Sequence, residues 1–493
     1  MTEAIRALVH AAPLLAVLAG VLAAAAPSPR AADRTSQVGG LAAGGAVLAL
    51  AGLAVAGGDG VVEGAWYRVD AAAGLFLAVI GVVGTLSVLV SPAYLRHTGR
   101  GMAGALASRR WYHLGLHLFW AALVAVPVAG NLGVAWVLVE ATTAASALLI
   151  AFSGKGTALE AGWKYLVLTT AGLTVALLGI VMLHAIGASG EGGLGALGWE
   201  RLAQAAPGLP HGPSIAAFLL VLAGLAAKVG WAPVHNWLPD AHGEAPPPVS
   251  ALLSAALLPA VALVAWRLDN ALGDAVGEDA SQLAFIGFGI ASLAVAAPFL
   301  WRPLAWKRLL AYSSLEHMGV LAVAIGLHEP LATAGGLLHV AGHALAKSLG
   351  FYAAVPILRY QPAAGRRPAR GLVRLSRPVG AAAGVSLGAL SGLPPSPLFL
   401  SEVLVLAGAV AAGLAWVAGI VAALLALGFL GLAHALVEGL SGTPSGRRPA
   451  AARATRQIAL LTVGLGAGLL ALLVAGLALP GSAIARALEG PWS

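Results

Sequence analysis

Apolar runs without a single charge decide what this chain can fold into. Residues 413–433 and 215–227 contain no Asp, Glu, Lys or Arg, and a bilayer span needs about 20 mostly apolar residues. Across the 493 residues, 59% are hydrophobic and 10% charged, against about 25% charged residues in soluble domains. A soluble core has no use for that much apolar surface. The chain therefore reads as an all-α polytopic membrane protein, one integral membrane domain over 1–493 embedded in a lipid bilayer. Its 65 glycines suit a bundle of closely approaching helices rather than a porin.

Hydropathy and helix breakers predict about fourteen transmembrane helices, near 3–26, 37–57, 71–91, 112–129, 131–152, 162–187, 213–230, 248–266, 281–300, 308–327, 331–358, 378–409 (interrupted), 413–438 and 456–479. The first carries Arg6 and small residues near Ala26, as a signal peptide does. It is expected to be retained, because its loss would break the charge parity that follows. No long amphipathic arm is expected beyond the last span.

Loops after odd-numbered spans hold twenty of the 28 Lys and Arg residues, among them Arg100, Lys307, Arg447 and Arg448. The opposite side, with both termini, holds five: Arg6, Arg68, Arg201, Arg267 and Arg486. Basic residues in short loops stay cytoplasmic, so both termini are expected on the outer, periplasmic side of the cell (inner) membrane. The net charge of +8 thus lies in loops and does not point to nucleic acid. Three basic residues remain, Lys164, Lys228 and Lys347. Lys164 lies near the start of its span and reads as a snorkelling side chain, while Lys228 and Lys347 read as the buried cations. Glu140, Glu316 and Glu402 fall inside spans five, ten and twelve. A charge there costs at least about 2.5–3.5 kcal/mol, so such groups pair or line a wet route.

The densest polar stretch runs from Lys228 through His235, Trp237-Leu-Pro-Asp240-Ala-His242-Gly-Glu244 and on to Pro246-Pro247-Pro248. Gly230 and the prolines should break span seven just after Lys228, freeing carbonyls beside a buried ammonium. A plain cytoplasmic loop with a snorkelling lysine is the alternative, but a charge-free approach followed by a break favours a site. Ser391-Gly-Leu-Pro394-Pro395-Ser-Pro397 breaks span twelve just ahead of Glu402. Broken helices five spans apart suggest two five-helix repeats, 112–266 and 281–438, with 1–91 and 456–479 peripheral. Five crossings is an odd number, so the copies must be inverted, which puts Lys228 and Glu402 at equivalent places on two half-channels.

His339, His343 and Lys347 recur at i, i+4, i+8 and share one helix face, drifting about 40° per step. Histidine can take a proton on one nitrogen and release it from the other, so the stripe reads as a proton wire ending in a switchable charge. Metal binding by the histidine pair ranks below this, with no third ligand obvious and no HExxH pattern. Glu316 and His317 either extend the route or brace helices. Glu140, in Val139-Glu-Ala-Thr-Thr143, is read as the partner of Lys228. His235, Asp240 and Lys164 are secondary candidates. There is no cysteine, which excludes disulfides and Cys-ligated iron–sulfur or zinc centres. No phosphate loop, dinucleotide fingerprint or catalytic triad occurs in a suitable context, and no cofactor or metal is expected.

The stretch 228–254 resembles the signature of the antiporter-like membrane subunits of respiratory complex I, Mrp-type antiporters and membrane-bound hydrogenases. Glu160-Ala-Gly-Trp-Lys164, Lys307-Arg-Leu-Leu-Ala-Tyr312-Ser-Ser-Leu-Glu316-His317-Met-Gly319 and Gly392-Leu-Pro-Pro395 look closest to the hydrogenase-4 component F branch. The resemblance implies fourteen helices with inverted repeats and a role for each polar residue. Glu140 would modulate a lysine, Lys228 would load and release a proton, His339, His343 and Lys347 would connect the halves, and Glu402 would serve the exit. Ser254 stands where many relatives place His or Lys, and Trp306 where Asp is frequent.

The resulting expectation is a non-redox, proton-translocating subunit of an oxidoreductase complex, driven by other membrane and peripheral subunits. Pairing with Glu140 would hold Lys228 as ammonium, and opening the pair would send the proton toward Lys347 and out past Glu402. The alternatives are an Mrp-type Na+/H+ antiporter subunit, the energising subunit of an inorganic-carbon uptake complex, and an inert membrane anchor.

Overall fold

The computed structural model describes residues 1–58, 60–98, 105–187, 193–443 and 452–478. Four residues of the loop-charge argument, Arg100, Arg447, Arg448 and Arg486, lie outside them. The chain is helical almost throughout, as lipid requires: no water competes there for backbone groups, so a span satisfies them within its own helix.

The helices are α1 (Thr2–Ala25), α2 (Pro29–Ala56), α3 (Ala71–Thr98), α4 (Ala105–Ala125), α5 (Leu132–Ile150), α6 (Gly156–Gly187), the short α7 (Trp199–Ala205), α8 (His211–Val229), α9 (Leu238–Glu244), α10 (Pro247–Leu252), α11 (Leu258–Val276), α12 (Glu278–Leu300), α13 (Trp306–Gly326), α14 (Pro330–Tyr360), the short α15 (Leu372–Leu375), α16 (Arg377–Leu390), α17 (Pro397–Ala411), α18 (Ala415–Ser441) and α19 (Ala452–Ala478). A π-helical turn, Leu253–Leu257, joins α10 to α11. Twelve helices among the described residues are long and apolar enough to cross a membrane. The 31-residue α14 carries the polar stripe, and α16 with α17 makes the broken crossing, which brings the crossings to fourteen. Among the described residues the helices are joined by a two-residue antiparallel ladder, β1 (Val62–Glu63) with β2 (Arg68–Val69), and two isolated β-bridges, Tyr67 with Ala129 and Asn131 with Gly198.

Burial separates the centre from the lipid face. Of the apolar windows in Pro247–Val276 and Trp306–Gly326, 94% is buried, against 22% in Ala415–Ser441 and 17% in Arg456–Leu477. Small residues permit the close contacts. A Cβ on Gly179 of α6 would lie 2.6 Å from the carbonyl oxygen of Ala217 on α8, so only glycine lets these helices approach so closely. Beyond that pair, α12 packs on α13 and α18, and α14 packs on α13, α16, α17 and α19.

Several boundaries differ from the sequence reading because helices run past their apolar stretch wherever a polar partner waits. Ser28 caps α2 and Pro29 opens it, which places Asp33 inside the helix, where it pairs with Arg109 and His113. Lys307, counted as a loop cation, sits in the first turn of α13, buried, with Nζ donating to the Ala245 carbonyl at 2.7 Å. Arg267, counted with the outer loops, is buried on α11 and forks onto Asp70 at 2.8 and 2.9 Å. Lys228 and Lys347 are therefore not the only buried cations.

Candidate functional site

Lys228 occupies the last turn of α8, fully buried. The helix stops at Gly230, whose φ of +80° is a conformation open to glycine, and re-forms at Leu238 as α9. The carbonyls freed by the break are not left bare, since Trp237 Nε1 donates to the Ala227 oxygen at 2.7 Å. The ammonium of Lys228 donates to Thr143 Oγ1 and Tyr165 OH, each at 2.6 Å. Tyr165 in turn meets Ser146 Oγ at 2.7 Å.

Glu140, one turn before Thr143 on α5, accepts from Thr170 Oγ1 at 2.8 Å and from Thr143 Oγ1 at 3.4 Å. Among the described residues no direct ion pair joins Glu140 to Lys228. The expected pair is one hydroxyl apart: Thr143 and Tyr165 take two of the ammonium's three donors. Neither Thr143 nor Tyr165 was among the residues expected at the site, since a lone hydroxyl carries no distinguishing pattern in an apolar helix.

The second half of the site is built on α13, α14 and the break between α16 and α17. Lys347 is fully buried and donates to the Leu310 carbonyl at 2.6 Å and to Ser313 Oγ. One turn back on α14, His343 Nε2 lies 3.4 Å from the Ser254 carbonyl oxygen. Ser254 itself hydrogen-bonds Ser314 at 2.7 Å from within the π-helical turn. Three buried imidazoles meet across α13 and α14. His317 Nδ1 and His339 Nε2 are 3.0 Å apart, and the rings of His317 and His343 are 5.0 Å apart. His339 Nδ1 reaches Ser401 Oγ at 2.9 Å.

Glu402 closes this end. Gly392 turns the break with a φ of +67°, and a Cβ there would lie 2.6 Å from Glu402 Oε2. Glycine thus leaves space for the carboxylate beside the broken backbone. His317, His339 and Glu402 each offer a ligand atom within 4.8 Å of the others, a group that leaves out His343 of the histidine pair weighed from the sequence. Both nitrogens of His339 and one of His317 are engaged in hydrogen bonds. Glu316 is buried on α13 with Oε2 lacking a hydrogen-bond partner, against Gly428 of α18.

The secondary candidates divide. His317 and Glu316 join the buried group. Asp240 instead sits in a surface cluster, 2.6 Å from Arg308 and 3.6 Å from Lys164, and Lys164 also pairs with Glu160 at 2.5 Å. Lys164 lies deeper in its helix than expected, eight residues into α6, yet stays partly exposed as a snorkelling residue does. His235 is half-buried in the first break. Trp306 is buried, its indole N–H donating to the Gly350 carbonyl at 3.0 Å.

Two buried histidines on α4 were missed. His113 meets Asp33 and His117 meets Ser36, each at 3.0 Å. Their i, i+4 spacing, the same as that of His339 and His343, was the available signal.

Residues 129–428 match the family described as NADH:quinone oxidoreductase/Mrp antiporter, TM. A hydrogenase-4 component F homolog from Methylacidiphilum infernorum is 32% identical over 76% of this chain and 78% of its own. An NADH-quinone oxidoreductase subunit N from Desulforudis audaxviator is 29% identical over 71% of this chain and 67% of its own. Among solved structures, a chain of the Mrp complex from Dietzia sp. DQ12-45-1b has the same fold, with a TM-score of 0.82, 20% identity and coverage of 99% of this chain and 98% of that one. The protein belongs to the antiporter-like membrane-subunit family shared by NADH:quinone oxidoreductases, Mrp antiporters and hydrogenase-4 complexes.

Proposed function

We propose that this chain is a proton-translocating subunit of an energy-converting membrane complex of the complex I or hydrogenase-4 type. It moves H+ through two half-channels arranged as inverted repeats, 112–266 and 281–438. The observation that carries the reading is the contact of three buried imidazoles, His317, His339 and His343, with Ser401 and Glu402 at one end and Lys347 one helical turn away. Burying that many titratable groups is costly, and in membranes such groups mark ion and proton routes. Imidazole passes a proton from one ring nitrogen to the other, and serine hydroxyls both donate and accept.

In the first half, Lys228 loads through the Thr143 and Tyr165 hydroxyls, with Glu140 setting how strongly the ammonium is held. A proton released there travels to Lys347, along the histidines, and leaves past Glu402. Imidazoles and ammonium groups suit H+ better than Na+, which prefers oxygen ligands. The Lys/Arg bias of the loops supports odd loops on the cytoplasmic side of the inner membrane and both termini outside. Driving force comes from partner subunits.

Lys228→Ala in proteoliposomes carrying the whole complex tests the reading. Proton flux should fall to background with assembly intact, whereas unchanged flux in an assembled complex would leave this chain a membrane anchor.

A further inference from the structure

Away from the polar axis, a cavity of about 250 Å³ opens where α12, α13 and α18 end together. Trp301, Arg302, Trp306, Pro368, His434 and Glu438 line it. Glu438 is ion-paired with Arg370, which cancels its charge within the protein. Arg302 lies exposed on the linker between α12 and α13, its guanidinium 5.9 Å from the Phe299 ring. Among the described residues it pairs with no carboxylate. The cavity therefore presents an uncompensated cation beside a histidine.

Its depth in the membrane is marked by Trp301. The ring is half-exposed, and its N–H is fixed on the Leu427 carbonyl at 2.9 Å. Amphipathic indoles of this kind concentrate at the membrane–water boundary. Along the adjoining helix, Leu427, Leu430 and Val437 of α18 are exposed, offering an apolar track for acyl chains. A transmembrane helix is about 10 Å across and does not enter a cavity this small, while a phosphate head does. Basic pockets between membrane helices bind such heads.

We propose that this cavity seats the phosphate head of a membrane phospholipid, held by Arg302 and His434, with its acyl chains lying on the exposed face of α18. The site is independent of the proton route.

The intact complex, purified in mild detergent, is compared by native mass spectrometry with its Arg302→Gln/His434→Gln variant, each titrated with phosphatidylglycerol and with inorganic phosphate. One phosphatidylglycerol per copy of this chain should bind wild type, about fivefold more weakly in the variant, and inorganic phosphate should not displace it. Equal lipid binding by both proteins, or displacement by phosphate alone, would overturn the proposal. Because the chain has no cysteine, Ala435→Cys carries a photo-crosslinker at one place in it. Crosslinks to lipid support the site, and crosslinks to another subunit overturn it by showing a protein helix over the cavity.

Discussion

The hydroxyl of Thr143 separates Lys228 from Glu140: the ammonium donates to it at 2.6 Å, and it reaches the carboxylate at 3.4 Å. The two charges are not in direct contact, and the single Thr143 hydrogen has two acceptors in reach, Glu140 at 3.4 Å and the Val139 carbonyl at 3.3 Å.

Thr143→Val keeps the shape and removes the hydroxyl. Losing a hydrogen bond to a buried charge costs about 1.5–3 kcal/mol, so proton flux in proteoliposomes should fall by at least about tenfold, while Thr143→Ser stays near wild type. Wild-type flux in Thr143→Val would refute the relay.

His317 and His339 act as one element if they form a wire. His339→Leu and His317→Leu should each abolish most flux, and the double variant should be no worse than either single one, because a wire broken once is broken. Additive losses would point to separate roles.

Gly428 faces Glu316 so closely that a Cβ would meet Oε1. Gly428→Ala should lower stability by about 1–3 kcal/mol, the usual cost of overpacking. In thermal unfolding, part of this should be recovered when Glu316→Ser makes room; a double variant that melts no higher than Gly428→Ala would show that the carboxylate is not what the methyl meets.

Arg267 joins α11 to the start of α3 through Asp70 and also donates to the Pro127 carbonyl at 2.7 Å. Arg267→Met takes the closer of two cations from the buried Asp70 and leaves it Arg68 at 3.7 Å, and losing a hydrogen bond to a charged group costs about 1.5–3 kcal/mol. The melting temperature should drop sharply for the single variant and less for Arg267→Met combined with Asp70→Asn.

His328, in the linker between α13 and α14, carries a pKa raised above its ordinary value. Burial opposes the charged ring, but the hydrogen bond and charge of Asp269, 2.9 Å away, outweigh it. The unfolded chain binds this proton near pH 6.5 and the folded chain binds it at higher pH. The stabilisation is therefore complete below pH 6.5 and lost as pH rises through the folded value. The melting-temperature advantage of wild type over His328→Asn should shrink as pH rises above about 6.5, and a constant difference would exclude the effect.

Much of the site was legible in the chain because it stands out against an apolar background. Lys228 before Gly230, the run at 391–397 before Glu402, and the 339/343/347 stripe are all local patterns, and local patterns survive without knowledge of the fold. Charges with distant partners were not legible. Lys307 and Arg267 looked like loop residues because their partners, the Ala245 carbonyl and Asp70, lie 62 and 197 residues away. Thr143 and Tyr165 were hidden for the same reason: hydroxyls are common in membrane helices, and only proximity to an ammonium distinguishes these two.

The sequence by itself determined that the chain is a membrane bundle, where two of its helices break and that Lys228, Lys347 and Glu316 are buried, because lipid penalises every buried charge and leaves few places for one. Only the tertiary structure decided which groups meet. It put the Thr143 hydroxyl between Glu140 and Lys228 in place of the expected pair and brought His317 on α13 into contact with His339 on α14. Helix periodicity gives the face on which a side chain lies, whereas its partner depends on how tightly neighbouring helices pack, and small residues scattered far along the chain set that distance.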